Sequence, residues 1–133
     1  MIDHRETLTR STAHAVALNC LTAGIEAVDP AQLTRETVSV SGSTLTIDET
    51  AVSLDEFDEI IVLGGGKAAG VVAAELESIL GDRLTGGCVV TTTPVDTERV
   101  AVLPGDHPVP GEASLDSTQQ LLSTAAAAGD RTL

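Results

Sequence analysis

Two short stretches carry side chains with the types and spacing to do chemistry. "VLGGGKAAG", residues 62–70, places Gly64, Gly65 and Gly66 directly before Lys67, the only lysine in a chain of 133 residues. "GDHPVPGEAS", residues 105–114, places Asp106 and His107 ahead of two prolines that flank Val109. The first stretch has the makings of an anion site. Glycines let the backbone approach a ligand with no Cβ in the way, and the free N–H groups that open a helix point at whatever lies there. Two unit charges roughly 4 Å apart attract by about 4 kcal/mol at an effective dielectric of about 20, against ~0.3–1 kcal/mol for an exposed charge at a helix end. An ammonium in the turn therefore outweighs the dipole behind it.

Three phosphate-binding arrangements compete. A Walker A loop needs a glycine four intervening residues ahead of its Gly-Lys pair and a Ser or Thr after it, where this chain has Ile61 and Ala68. Gly64, Gly66 and Ala69 fit the dinucleotide fingerprint G-x-G-x-x-G/A, a weak signal alone, and the next strand ends in Thr91, Thr92 and Thr93 where a dinucleotide binder puts an acid. The third arrangement has Lys67 itself contacting a phosphate or an acid substrate. The plainer alternative is a solvated lysine in the first helical turn, with glycines serving close helix–strand packing. A helix N-terminus repels a cation, yet a chain with twenty acidic and seven basic residues keeps its single lysine there, which favours the functional role.

The prolines stiffen the second stretch and hold His107 at the loop edge of a sheet. His107 either contacts substrate or hydrogen-bonds a backbone carbonyl to steady the loop. Asp106 reads as a turn former ahead of a base or magnesium ligand. Both stretches follow strands, so if those strands are parallel the two loops share the crevice at their carboxyl ends. His4 and His14 fall on the first helix in no pattern and read as surface residues.

The net charge of −13 leaves no basic stripe to displace counterions from nucleic acid or to hold an anionic membrane. Of the seven basic residues all but Lys67 are arginine, and aromatic residues make up 1%. This composition resembles that of intracellular proteins of salt-adapted archaea; in molar salt the screening length is ~3 Å, so charges act on ligands only at contact. Cys20 and Cys88 belong to no metal or redox spacing and read as buried structural residues. No apolar run reaches the length of a membrane span and no signal peptide is visible, so a cytoplasmic location is expected.

The periodicity predicts a long first helix, capped by Asp3 with Glu6, that ends before Asp29-Pro30 and buries a stripe from Ala13 to Val28. A hairpin over residues 37–48 turns at Gly42-Ser43. The apolar run 59–63 is a strand covered on both faces, followed by a helix over 67–80 with Glu75 and Glu77 outward. Strands over 87–93 and 99–103 precede a helix over 114–128 capped by Ser114, and "RTL" at the end begins another strand. The expected fold is α/β, a Rossmann-like three-layer sandwich with a mainly parallel sheet, truncated before completion.

"VLGGGKAA" followed some forty positions later by "DHPVPGEAS", with "CLTAGIEAVDP" at residues 20–30, resembles the N-terminal part of the MOFRL-containing glycerate kinases, the glycerate 2-kinases. The resemblance covers essentially all of residues 1–133. It implies the front of an N-terminal α/β domain, with the rest of that domain and a C-terminal domain absent, and a cleft where ATP, Mg2+ and glycerate meet. It maps the family's lysine onto Lys67, its glycines onto Gly64, Gly65 and Gly66, and its loop histidine onto His107. Many relatives carry Asp after the second proline, where this chain has Gly111-Glu112. The implied partners are glycerate and a nucleotide, with no nucleic acid or membrane, and a homo-oligomer stays open. The rival readings are an NAD(P)-dependent hydroxypyruvate reductase and a non-catalytic ligand-binding fragment.

Overall fold

The computed structural model describes residues 2–133. Helices α1 (Arg5–Leu8), α2 (Thr12–Glu26) and α3 (Pro30–Thr37) lead into strands β1 (Val38–Ser41), β2 (Thr44–Ile47) and β3 (Thr50–Ser53). Strand β4 (Ile61–Gly65), helix α4 (Ala69–Leu80), strands β5 (Gly86–Thr91) and β6 (Ala101–Pro104), and helix α5 (Glu112–Ala127) complete the chain.

The expected α/β sandwich is present. Strands β4, β5 and β6 pair in that order, all parallel, with Leu63 opposite Cys88 and Val90 opposite Leu103. Side chains alternate across β5. Val89 joins the core with Ala73 and Leu80 of α4, whereas the Cys88 thiol lies 3.8 Å from the Thr124 hydroxyl of α5. The two helices therefore cover opposite faces. Where a further strand is expected, the terminal segment lies parallel beside β4 through an isolated bridge: the Ile61 N–H donates to the Leu133 carbonyl and the Leu133 N–H to that of Glu59, both at 2.9 Å. The chain thus runs from β4 outward to β5 and β6, returns through α5, and settles on the other side of β4. Chain direction across the sheet reverses beside β4, where open α/β sheets hold ligands.

A second, antiparallel sheet carries the predicted hairpin, β1 and β2, plus β3, a strand beyond those expected from the sequence. It contributes Leu45 to the core, and the short 3-10 turn after it contributes Leu54. Leu84 is fully buried in the same cluster, a side chain worth ~1.5–3 kcal/mol when removed from water.

Several local expectations are corrected. The first helix is two: α1 stops at Thr9, and Ser11 starts α2 by accepting the His14 N–H on its hydroxyl, so a Ser/Thr-rich junction offers the backbone an alternative to continued helix. His4, not Asp3, occupies the N-cap of α1, with no side-chain cap. The apolar stripe of α2 is not buried, because nothing among the described residues packs on it; Val16, Leu21 and Ile25 are exposed, and so is Cys20. Helix α3 stands where no helix is expected; Asp29 caps it through the Gln32 N–H and Pro30 opens its first turn. Glu77 does not face free solvent. Its carboxylate accepts the N–H groups of Glu98 and Val100 at 2.8 and 2.7 Å and that of Arg99, clamping the β5–β6 connection onto α4. Burial works to raise its pKa, but those three donors and the Arg99 charge hold it below the ordinary value. The same connection explains Gly70, where a Cβ would stand 2.9 Å from Val95.

Candidate anion-binding cleft

A cleft of about 430 Å³ opens at the carboxyl edge of the parallel sheet on the α5 side. Gly65, Gly66 and Lys67 form one wall, and Asp106, His107 and Pro110 form the facing one. The two stretches singled out by their chemistry thus meet, and they meet because both follow parallel strands.

The three glycines do different work. Only Gly66 turns the chain, with φ of 134°, a conformation that side chains rarely adopt. Gly64 and Gly65 lie within β4, and Gly64 faces the α4 side, where a Cβ would meet Val89 at 3.8 Å. A Cβ on Gly65 would meet nothing nearer than the Val90 carbonyl at 3.9 Å, an ordinary contact. The protein's own packing therefore leaves room for a side chain at Gly65, and its absence keeps the cleft wall as bare backbone.

Helix α4 begins at Ala69, so Lys67 stands in the turn ahead of it, not in its first helical turn as expected. The Ala69 N–H donates to the Gly66 carbonyl at 3.1 Å, which closes that turn. Ala68 occupies the N-cap and supplies no side-chain acceptor. Lys67 is exposed and, among the described residues, its ammonium enters no ion pair; the acidic partners in reach of the arginines are elsewhere.

Thr91, which the sequence marked only as the end of a strand, joins the two walls. It is buried, its hydroxyl donates to the Lys67 carbonyl at 3.4 Å, and its carbonyl accepts the Gly105 N–H at 2.9 Å. Asp106 was read as a turn former and does more than that. Its Oδ2 accepts the N–H groups of Gly111 and Ser114, each at 3.0 Å, and its own N–H donates to the Ser114 hydroxyl at 2.6 Å. The Ser114 N–H above all, helped by the Gly111 N–H and the Ser114 hydroxyl, holds the Asp106 carboxyl below its ordinary value against the opposing effect of burial. Ser114 is thus not the N-cap of α5 as expected; Gly111 takes that place, and Asp106 caps the helix from across the loop. No local pattern announces such a cap, because donor and acceptor are eight residues apart.

Magnesium finds no cage in these residues. No group of three His, Cys, Asp or Glu side chains gathers among the described residues, and the cleft's one carboxylate already holds two amides. The wall of Gly65, Gly66 and Lys67 presents bare backbone and one ammonium, the kinds of group that hold phosphate or carboxylate oxygens in proteins generally. No helix among the described residues is long and apolar enough to cross a membrane.

Residues 16–133 match the family described as a domain of unknown function, DUF4147. The chain belongs to that family. Among solved structures, the DUF4147 chain is similar to the PH0495 protein from Pyrococcus horikoshii OT3, with a TM-score of 0.72 at 23% identity over 92% of this chain and 28% of that one. It is also similar to a glycerate kinase from Thermotoga maritima, with a TM-score of 0.66 at 24% identity over 89% of this chain and 26% of that one. These likenesses establish a shared fold. The DUF4147 chain spans little more than a quarter of the length of either structure. No curated protein matches the sequence significantly.

Proposed function

We propose that this DUF4147 chain supplies one wall of a glycerate kinase site, and that the whole protein transfers the γ-phosphoryl group of ATP to D-glycerate, with 2-phosphoglycerate the favoured product. One observation carries the reading. The only lysine of a strongly acidic chain sits on a cleft shared with the His107 loop, beside a glycine that the fold does not require. The solved glycerate kinase with the same fold supports it.

Phosphoryl transfer asks a protein mainly for positioning and for charge placed where charge develops. The glycerate hydroxyl oxygen forms a bond to the γ-phosphorus and gives up its proton to solvent, while the bond from that phosphorus to the β–γ bridging oxygen breaks and ADP leaves. Lys67, on the bare backbone wall of Gly65 and Gly66, holds an anion in that assembly, either the glycerate carboxylate or a phosphate. His107 contacts the bound molecule from the opposite wall. The part proposed for the described residues is to hold and orient anions.

The test is product formation from ATP and D-glycerate, followed by phosphorus NMR, with Lys67→Ala alongside. Loss of about 100-fold or more in rate with an unchanged melting temperature is expected; near-normal turnover in Lys67→Ala removes the assignment. A second reading, NAD(P)-dependent reduction of hydroxypyruvate, draws on the Gly64-x-Gly66-x-x-Ala69 spacing beside the point where the sheet reverses direction. Oxidation of NADH on adding hydroxypyruvate, read at 340 nm without ATP, would favour it.

A further inference from the structure

We infer that Asp106 is a positioning residue, a brace that holds the His107 loop against the cleft, and not a ligand of what the cleft binds. The inference rests on the proposed function only for what is bound; the brace stands on geometry. Asp106 is the one carboxylate lining the cleft. Both amides that it receives, from Gly111 and Ser114, fall on the same oxygen, Oδ2, and the return bond from its own N–H reaches the Ser114 hydroxyl. Three bonds therefore close the loop on itself around His107, Pro108 and Pro110.

Gly111 answers to that carboxylate independently. Its backbone is extended, with φ of −119° and ψ of −161°, a conformation open to any residue, so conformation does not call for glycine. Space does: a Cβ at 111 would stand 2.9 Å from Asp106 Oδ2 and 3.2 Å from its Cγ. The residue type at 111 is what allows the carboxylate to sit over the start of α5.

The geometry also separates a brace from a ligand. A brace that works through one oxygen survives replacement by an amide, whose carbonyl oxygen can take the place of Oδ2. A group that binds a cation or takes a proton needs the charge. The experiment titrates the 15N-labelled chain with D-glycerate and, separately, with inorganic phosphate, in the parent, Asp106→Asn, Asp106→Ala and Gly111→Ala. Amide exchange at Gly111 and Ser114 and the His107 ring signals are read in the same samples, with melting temperature as the check on folding. Asp106→Ala and Gly111→Ala are expected to weaken anion binding about tenfold, to speed exchange at the Ser114 amide, and to leave the fold intact, whereas Asp106→Asn restores both affinity and protection to within about threefold. Asp106→Asn that keeps Ser114 protected yet binds as weakly as Asp106→Ala overturns the brace and makes Asp106 a ligand. Asp106→Ala with parental exchange overturns it as well. A parent chain that binds neither anion, with the exchange pattern as expected, sinks the proposed function and leaves the brace standing.

Discussion

The backbone N–H of Gly66 donates to the carbonyl of Val90 at 2.9 Å, so the turn that carries Lys67 is a continuation of the β4–β5 ladder and not a free loop. The Thr91 hydroxyl repeats the tie one residue on, at the Lys67 carbonyl. A lysine held this way has a fixed backbone and only its own side-chain torsions to search. Gly65, Gly66 and Lys67 line the same cleft, so the backbone that carries the ammonium is already in place there before an anion arrives.

That wall is directly testable. Because a Cβ at Gly65 meets nothing closer than 3.9 Å, Gly65→Ala should change unfolding free energy in urea by less than about 1 kcal/mol. The same methyl group projects into the cleft, so phosphate or glycerate affinity should fall about tenfold or more. Unchanged affinity would mean that no ligand approaches that backbone.

The Glu77 clamp gives a pH dependence of known sign. Its carboxyl has a pKa lowered from 4.5 in the folded chain, so the clamp's contribution is fully present above that unfolded value and is lost as pH falls through the lower folded one. Glu77→Ala should cost about 2 kcal/mol at neutral pH, since three donors lose a charged acceptor, and should flatten the acid limb of the stability profile. Urea unfolding at pH 7 and at a pH below the folded value checks both; equal losses at the two would contradict the assignment.

Gly87 makes the opposite case to Gly65. Its φ is 126°, and a Cβ there would lie 2.1 Å from the Val62 carbonyl oxygen, in the middle of the β4–β5 pairing. Gly87→Ala should destabilise by more than about 3 kcal/mol, measured by thermal or urea unfolding, because neither backbone can yield without breaking the ladder.

How much of this was legible in the sequence depended on whether the deciding partner was local. The run Ile61–Leu63 with its glycines, the period of α4 and the parallel strands were readable because continuous apolar residues and turn residues carry their own signal. The shared edge of the Lys67 and His107 loops followed from the sequence only on the condition that their strands run parallel, which they do. Helix α3 carries its start signal in Asp29-Pro30, although its eight residues hold too few apolar positions to show a period. The facing of Glu77 was not legible, since its three amides come from more than twenty residues away. The same holds for Asp106 as a cap on α5 and for the Thr91 link between the two loops. The apolar period of α2 predicted a helix correctly but not its burial, because amphipathic spacing states which face seeks cover and not whether cover is there.

The most direct test uses the fact that the chain has a single lysine. With isotope-labelled lysine, the side chain of Lys67 gives one set of NMR signals, which can be followed while D-glycerate, phosphate and ATP are added in turn. If Lys67 faces a bound anion, its Nζ and Cε signals shift saturably with at least one of the three and its ammonium protons exchange more slowly. Signals that stay in place while the amides of Gly65 and Gly66 respond would show the anion bound without the lysine, and the account would be wrong at its centre.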